Sequence, residues 1–483
     1  MLFLKRLAVL MFYAALPLLI PLGYSLYLED GAWAPIAFTI LVLALPAVPE
    51  LLRHIFQNIK NFILSIFKPD TPFNYANLLD LEKMREEVSE LTLGQILALV
   101  SAAWLIIPAI SCIPYLAYSF GPVDAYFESI SGWTSTGLSA LPNLDGLPPS
   151  IILYRSTTQW VGGLGIVILM LTVMKGREAK HFLRAEGRTP TDVGISRTAG
   201  SIWGVYLLLT LIGIALLYAV GFNPLNSVNL VFAGVSNGGF FPFNSYTFND
   251  FQKFALAGLM FGGATSFIFY KNLLARKFRE AFLDEELWLY IMITLVAVAL
   301  IYIVSHEGLY NTLLNSISAI ACGGFAIGDL SIMGAFPIYI LILLMLMGGM
   351  MGSTTGGMKL WRILVVLKSI LRNIKSAFLP PGAVQVVKIN GRPISEEFIV
   401  ESSTFIFAYV ILFLFGSGVL MAINYEIEDS MFMIASALGN VGLAIIPIPA
   451  MAQGTKIFLI ALMYLGRIEI FPSLALMRYL LRR

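Results

Sequence analysis

Apolar positions gather into ten runs near 6–27, 33–52, 93–119, 151–174, 199–221, 254–272, 287–305, 336–371, 398–423 and 454–480. Most are roughly 20 residues long, the length that carries a helix across about 30 Å of hydrocarbon. Polar residues concentrate between the runs. Four connections break this simple alternation: those between the third and fourth, fifth and sixth, seventh and eighth, and ninth and tenth runs. Each is too short and glycine-rich to span, yet too apolar for an ordinary loop. The pattern predicts an all-α integral membrane protein with four re-entrant segments.

Composition supports that solvent. The 483 residues are 58% hydrophobic and 12% charged, where soluble chains carry about 25% charge. Lys5 and Arg6 precede an apolar stretch from Leu7 to Tyr27 that exceeds a signal-peptide core and is followed by no A-x-A site, so it reads as a retained span. Cys112 and Cys322 both lie in apolar surroundings and read as packing residues. An intramembrane enzyme would need paired carboxylates or clustered histidines at depth, whereas His54, His181 and His306 sit far apart at edges or loops. A voltage sensor would need Arg or Lys at every third position of a span. No span has that, and no nucleotide-binding fingerprint occurs.

Charge placement orients the chain. Segments 120–150, 222–252, 306–335 and 424–452 lack Lys and Arg but carry Asp124, Glu128, Asp145, Asp250, Glu307, Asp329, Glu426, Glu428 and Asp429. The opposite connections hold Lys175, Arg177, Lys180, Arg184, Arg188, Arg197, Lys271, Arg276, Lys277, Arg279, Lys368, Arg372, Lys375, Lys388 and Arg392. By the positive-inside rule the four unusual segments face outward and both termini lie in the cytoplasm. Carboxylates at an outer mouth attract cations.

Aligned on one glycine each, the four segments repeat: DAYFESISGWTSTGLSAL about Gly137, LNSVNLVFAGVSNGGFFPF about Gly238, YNTLLNSISAIACGGFAIGD about Gly323 and DSMFMIASALGNVGLAIIP about Gly442. About a dozen helical residues, with a small residue five before the glycine (Gly132, Ala233, Ser318, Ala437), lead into a glycine turn and an apolar exit. Irregular backbone at membrane depth survives only when buried in protein or lining a watery path. Four such turns imply one shared path. Each half-helix would enter N-terminus outward and aim its electronegative end at the membrane middle, where glycine frees the backbone to offer carbonyls to a cation. The preceding residues, Ser135-Thr136, Ser236-Asn237, Ala321-Cys322 and Asn440-Val441, differ in chemistry, so main-chain carbonyls are the expected common ligands. The candidate metal-binding set is Ser135, Thr136, Gly137, Ser236, Asn237, Gly238, Ala321, Cys322, Gly323, Asn440, Val441 and Gly442.

With TSTGLS at 134–139, SNGGF at 236–240, ACGGF at 321–325, GNVGL at 439–443, QWVGGLGI at 159–166 and GRIEIF at 466–471, the chain resembles the Trk, Ktr and HKT superfamily of potassium transporters, most of all its TrkH branch. The resemblance runs from near Leu93 to the C-terminus, and 6–52 matches that branch's additional helix pair. It implies four pore repeats at 93–197, 198–285, 286–397 and 398–483 behind an N-terminal pair and linker at 1–92. In that family the aligned glycines form the filter and a serine at the first is associated with sodium. Glycine at all four positions therefore implies K+ as the transported ion, with a sodium or mixed sodium/potassium pathway as the alternative. The run GGMMGSTTGGMK at 348–359 looks like the family's intramembrane gating loop. It lacks the Gly-Lys-Ser/Thr of a phosphate loop. Gly352, Ser353, Thr354, Thr355, Gly356, Gly357 and Lys359 would form the gate. Arg467, costly at mid-span, faces the pore or pairs with Glu469 or Ser353–Thr355, and by resemblance impedes ions when the loop is closed. Arg155 has either a snorkelling or interhelix role or a conduction role. The resemblance further implies a homodimer in the cell inner (plasma) membrane and a cytosolic, nucleotide-binding TrkA-type subunit, with no organic cofactor and no nucleic acid. The basic segments 175–197 and 368–392 are docking candidates for that subunit or for anionic lipid.

Overall fold

The computed structural model describes residues 2–49, 92–173, 195–244, 246–305, 308–380 and 385–481. The predicted linker at 53–90 and most of the basic segment 175–197 lie outside them. Helices α1 (Leu2–Ala15) and α2 (Leu19–Leu28), joined by a 3-10 turn containing Pro17, form one apolar span that pairs with α3 (Trp33–Ala44). Asp30, between them, binds Ser25 and also accepts from the backbone and hydroxyl of Ser150 at 3.2 and 2.6 Å, fastening this pair to the first repeat.

Four units of span, short helix, loop and span follow. The first comprises α4 (Leu93–Ser111), α5 (Ile113–Ala117), α6 (Pro122–Trp133) and α7 (Pro149–Val173). The second has α8 (Ile195–Ala219), α9 (Pro224–Val235), α10 (Asp250–Gly263), α11 (Phe267–Leu274) and α12 (Phe278–Phe282). The third has α13 (Glu285–Ser305), α14 (Leu309–Ile320), α15 (Ala335–Met347) and α16 (Leu360–Ser376), then a hairpin of β1 (Lys388–Ile389) and β2 (Arg392–Pro393) in antiparallel register. The last has α17 (Glu396–Ala422), α18 (Ile427–Leu438), α19 (Gln453–Arg467) and α20 (Phe471–Leu481).

Among the described residues five helices are long and apolar enough to cross a membrane alone, and two bent helix pairs reach that length and apolarity when each is taken together. The run predicted at 336–371 is two helices separated by the glycine loop, and α10 meets α11 at 92°. The run at 33–52 gives a helix of 12 residues and a 3-10 turn over Leu45–Ala47, where Pro46 removes a backbone donor.

The short helices α6, α9, α14 and α18 are each 12 residues long. Proline at the first turn opens α6 and α9, where its missing N–H costs nothing. The same device ends all four: the amides of Thr136, Gly238, Gly323 and Val441 donate to the carbonyls of Ser131, Ala233, Ser318 and Ser436 at 2.9, 2.7, 2.7 and 2.8 Å. The residue before each amide is left-handed, with φ of 52° at Ser135, 53° at Asn237, 54° at Cys322 and 52° at Asn440. This is the Schellman arrangement, which turns the chain sharply while satisfying the last carbonyls.

The main core packs these short helices among their flanking spans, and a second core sets Leu18, Ile36, Trp104, Tyr115 and Tyr154 of the N-terminal pair and first repeat against Tyr464 and Ile468. Leu211, Leu295, Ile303, Phe407 and Leu414 are exposed on the outer faces of α8, α13 and α17, the placement that suits helices surrounded by lipid.

Candidate ion pathway and gate

The four cap motifs set the register of the repeats and correct one expectation. Counting from the left-handed residue, Gly137 and Gly442 are matched by Gly239 and Gly324, with φ of 93°, 93°, 76° and 70°. Gly238 and Gly323 instead match Thr136 and Val441. Each of repeats two and three carries two consecutive glycines, and the glycine pattern alone selects the earlier one. The small residue inside each helix moves accordingly, to Ser131, Ala233, Ser318 and Ser436. In the first and last repeats the Ser131 and Ser436 hydroxyls accept from the Gly137 and Gly442 amides at 3.0 and 3.1 Å.

These four glycines close a ring. A Cβ at Gly137 would strike the Gly238 carbonyl, at Gly239 it would lie 2.8 Å from the Gly323 oxygen, at Gly324 2.8 Å from the Val441 oxygen, and at Gly442 it would strike the Thr136 carbonyl. Each repeat thus approaches the main chain of the next, and the fourth returns to the first. Positive φ and absent space both require glycine there. Of the twelve expected ligand residues, Thr136, Gly137, Gly238, Gly323, Val441 and Gly442 meet in this ring, and the other six form the turns that lead into it.

Their side chains are largely engaged in structural bonds. Ser135 Oγ donates to the Gln159 carbonyl at 3.0 Å, the Thr134 and Thr136 hydroxyls are 2.7 Å apart, and Asn440 Nδ2 donates to Thr136 Oγ1 and to the Met463 carbonyl at 2.9 and 2.8 Å. The Asn237 side chain meets Thr354 Oγ1 at 3.0 Å. Cys322 is a buried free thiol. Among the described residues no group of three or more His, Cys, Asp or Glu is arranged to hold a metal ion. Four helix C-termini, the electronegative ends, meet at the ring, where the main chain of each turn approaches that of the next.

Behind the ring stand residues to which the sequence assigned no site role. Gln159 on α7 bonds the Gly238 carbonyl through Nε2 and accepts from the Phe240 amide at 3.1 Å. Glu128, counted in the sequence only as an outward carboxylate, is buried and accepts from Arg155 Nε and Nη2 at 2.8 and 2.6 Å. Arg155 therefore has an interhelix role. Lys456 of α19 reaches Asp124 of α6 at 2.6 Å, tying the fourth repeat to the first. A carboxylate seven residues into a short, largely apolar helix and a glutamine between glycine motifs are the sequence signals that could have found Glu128 and Gln159.

The glycine loop between α15 and α16 is wedged beneath the ring. Thr354 Oγ1 lies 3.1 Å from the carbonyls of Val235, at the end of α9, and of Gly263, at the end of α10. The Met350 amide donates to Ala264 O at 3.1 Å and the Phe267 amide to Gly352 O at 3.0 Å, so the loop fills the break between α10 and α11. On the other side a Cβ at Gly356 would strike the Gly439 carbonyl at the end of α18. Gly352 and Gly357 both have φ of 74°. Ser353 Oγ donates to Met350 O at 2.6 Å, and Lys359 Nζ bonds the Thr355 carbonyl and lies 3.1 Å from its hydroxyl. The Met351 amide donates to Glu286 Oε1 at 2.6 Å.

Arg467 holds this loop. Its guanidinium donates to Thr354 O at 3.1 Å, to Gly162 O at 2.6 Å and to Gly163 O at 3.0 Å. The expected alternative partner Glu469 pairs instead with Arg362 at 2.6 Å. The chain reverses at Glu469 and Ile470, with φ of 58° and 64°, which carries the carboxylate towards α16.

Comparison with known proteins places this architecture. The family described as TrkH, cation transport protein, matches residues 81–287 and 286–482. An uncharacterized cation transporter of Methanocaldococcus jannaschii is 34% identical over 386 residues, covering 77% of this chain and 80% of the relative. The Trk system potassium uptake protein TrkH of Escherichia coli K12 is 28% identical over 427 residues, covering 81% and 86%. The crystal structure of the potassium transporter TrkH from Vibrio parahaemolyticus superposes with a TM-score of 0.79 at 23% identity, covering 98% of this chain and 97% of that one, so the fold is shared. The two family matches each take in two of the four units. This chain is a multi-pass membrane protein belonging to the TrkH family of cation transport proteins.

Proposed function

We propose that this protein mediates potassium uptake through the ring at Gly137, Gly239, Gly324 and Gly442, gated by the loop 348–359. The observation that carries the reading is the closure of four glycine turns on one another, each against the main chain of the next. Carbonyl oxygens replace a hydration shell in such a setting, and helix C-termini favour a cation over an anion. Potassium is the ion named for the Escherichia coli relative. Thr136, Gly238, Gly323 and Val441 contribute main chain beside the ring glycines, while Ser135, Ser236, Asn237, Ala321, Cys322 and Asn440 hold the turns in shape. The loop is bonded to repeat two through Val235 and Gly263 and to repeat four through Arg467, which also binds Gly162 of repeat one, and this supports a closed gate.

Opening requires that these bonds be exchanged. We assign that task to a cytosolic nucleotide-binding subunit of the TrkA type docking on the basic face near Lys368 and Arg372, with two copies of this chain forming the pore assembly in the inner membrane and both termini in the cytoplasm. Boundaries at 92, 197, 285 and 397 divide the chain into its N-terminal pair and four repeats.

The test is tracer uptake of potassium and sodium into proteoliposomes containing the purified chain, beside a Gly137→Ser variant and empty vesicles. Potassium uptake above that of sodium is expected, and the serine, whose Cβ would strike the Gly238 carbonyl at positive φ, should sharply reduce uptake. Equal uptake of both ions by the unaltered chain would make it a mixed sodium/potassium pathway, and no uptake above empty vesicles by either the unaltered chain or an Arg467→Gln variant, which frees the gating loop, would overturn the reading.

A further inference from the structure

Position seven of the four short helices is occupied by Glu128, Leu230, Asn315 and Met433, all buried. In repeats one and three this side chain grips the exit of its own filter loop at the same place. Glu128 Oε2 accepts from the Ala140 amide at 3.0 Å, and Asn315 Oδ1 accepts from the Ile327 amide at 3.0 Å, each amide three residues beyond its ring glycine. Asn315 Nδ2 also donates to Ile327 O at 3.0 Å. The corresponding residue in repeat two is Pro242, which has no amide to offer, and there the helix carries Leu230. Polar clamps thus alternate around the ring, giving a two-fold pattern within a four-fold frame.

Repeat two is held from outside itself. Arg155 lies against Glu128 through Nε and Nη2, meets Ser139 Oγ at 3.2 Å through Nη2, and donates from Nη1 to Phe241 O at 3.1 Å. Its guanidinium stacks over the Phe240 ring at 4.2 Å. Ser139 in turn lies 3.0 Å from Glu128 Oε2. Ser139 and Phe241 are each two residues beyond a ring glycine, so one buried ion pair fixes the separation of two neighbouring filter exits. Breaking such a pair in low dielectric leaves an uncompensated charge. A filter whose width is set by backbone contacts depends on its supporting shell.

Building on the proposed potassium pathway, we infer that Glu128 and Arg155 are positioning residues that determine ion discrimination by locking the exits of repeats one and two together. They do not touch the ion. Their effect should appear in the ratio of permeabilities, whereas a merely structural pair would lower the amount of folded protein and leave the ratio alone. Arg155→Lys keeps the charge against Glu128 but cannot also serve Phe241. Ser139→Ala removes only the hydroxyl that braces the pair.

The experiment is the reversal potential of the purified chain in planar bilayers under bi-ionic potassium and sodium, for the unaltered protein, Glu128→Gln, Arg155→Lys and Ser139→Ala, each checked by gel filtration. Arg155→Lys and Glu128→Gln should raise sodium permeability relative to potassium by about fivefold or more, and Ser139→Ala should shift it in the same direction by less. If the unaltered chain discriminates and every folded variant, Ser139→Ala included, keeps its ratio, the inference is overturned. If neither the unaltered chain nor its Arg467→Gln variant, with the gating loop freed, passes potassium current, it is the proposed pathway that fails.

Discussion

Arg467 Nη1 donates to the Thr354 carbonyl at 3.1 Å across 113 residues of sequence. The same guanidinium binds Gly162 and Gly163 of α7. One side chain of the last span therefore joins the first repeat to the glycine loop of the third. A loop with helix-breaking glycines has few bonds of its own, and its seat is defined by what it borrows from others.

Replacing Arg467 with Gln should loosen that seat. A hydrogen bond to a charged group contributes about 1.5–3 kcal/mol, so the closed loop should lose roughly tenfold or more in relative population. Potassium flux into proteoliposomes without any added subunit should rise accordingly, and unchanged flux in folded protein would argue against the loop as the gate.

Thr354→Val conserves shape but leaves the Val235 carbonyl without this donor, while the Gly263 carbonyl keeps the amide of residue 354 at 3.3 Å. Each unsatisfied buried group costs about 1–3 kcal/mol. The cost falls on the closed arrangement, so single-channel recordings should show shorter closed times and a higher open probability at little change in unitary current, since the ring itself is untouched.

The register of the ring makes neighbouring glycines unequal. At Gly323 the atoms nearest a Cβ belong to the Met260 side chain, whose flexible thioether can move, while at Gly324 it would meet the main chain of Gly239 and Val441 at positive φ. Gly324→Ala should abolish uptake or folding, and Gly323→Ala should retain substantial uptake. Tracer assays on both proteins decide this, and the opposite order would return the ring to Gly323.

Arg362 pairs with Glu469 at 2.6 Å and lies over the Phe405 ring at 4.2 Å. Arg362→Gln strands a carboxylate that is 33% exposed, a cost of about 1–3 kcal/mol after solvent screening. The melting temperature in detergent should fall by several degrees, and the double variant with Glu469→Gln should recover part of the loss.

Much of this molecule was legible in one dimension because a bilayer imposes one-dimensional rules. Span length, the exclusion of basic residues from one face and the impossibility of lipid-exposed irregular backbone are each properties of a segment, and they sufficed for the helical architecture, the four re-entrant turns and the broken eighth span. The family markers were equally local. The choice between Gly238 and Gly239, and between Gly323 and Gly324, was not local: both glycines satisfy the pattern, and only the cap hydrogen bonds and the neighbour's carbonyl distinguish them.

The partners of buried charges belonged wholly to the tertiary structure. Composition allowed Arg467 to pair with Glu469, two residues away, yet the reversal at Ile470 sends that carboxylate to Arg362 and leaves the arginine to main-chain carbonyls. Glu128 read as one more outward acid until the fold placed Arg155 against it. Hydrophobic periodicity determines which segments enter the membrane, because transfer from water depends on each segment's own surface. Which polar group meets which, once inside, depends on where four separate turns converge, and that convergence exists only in three dimensions.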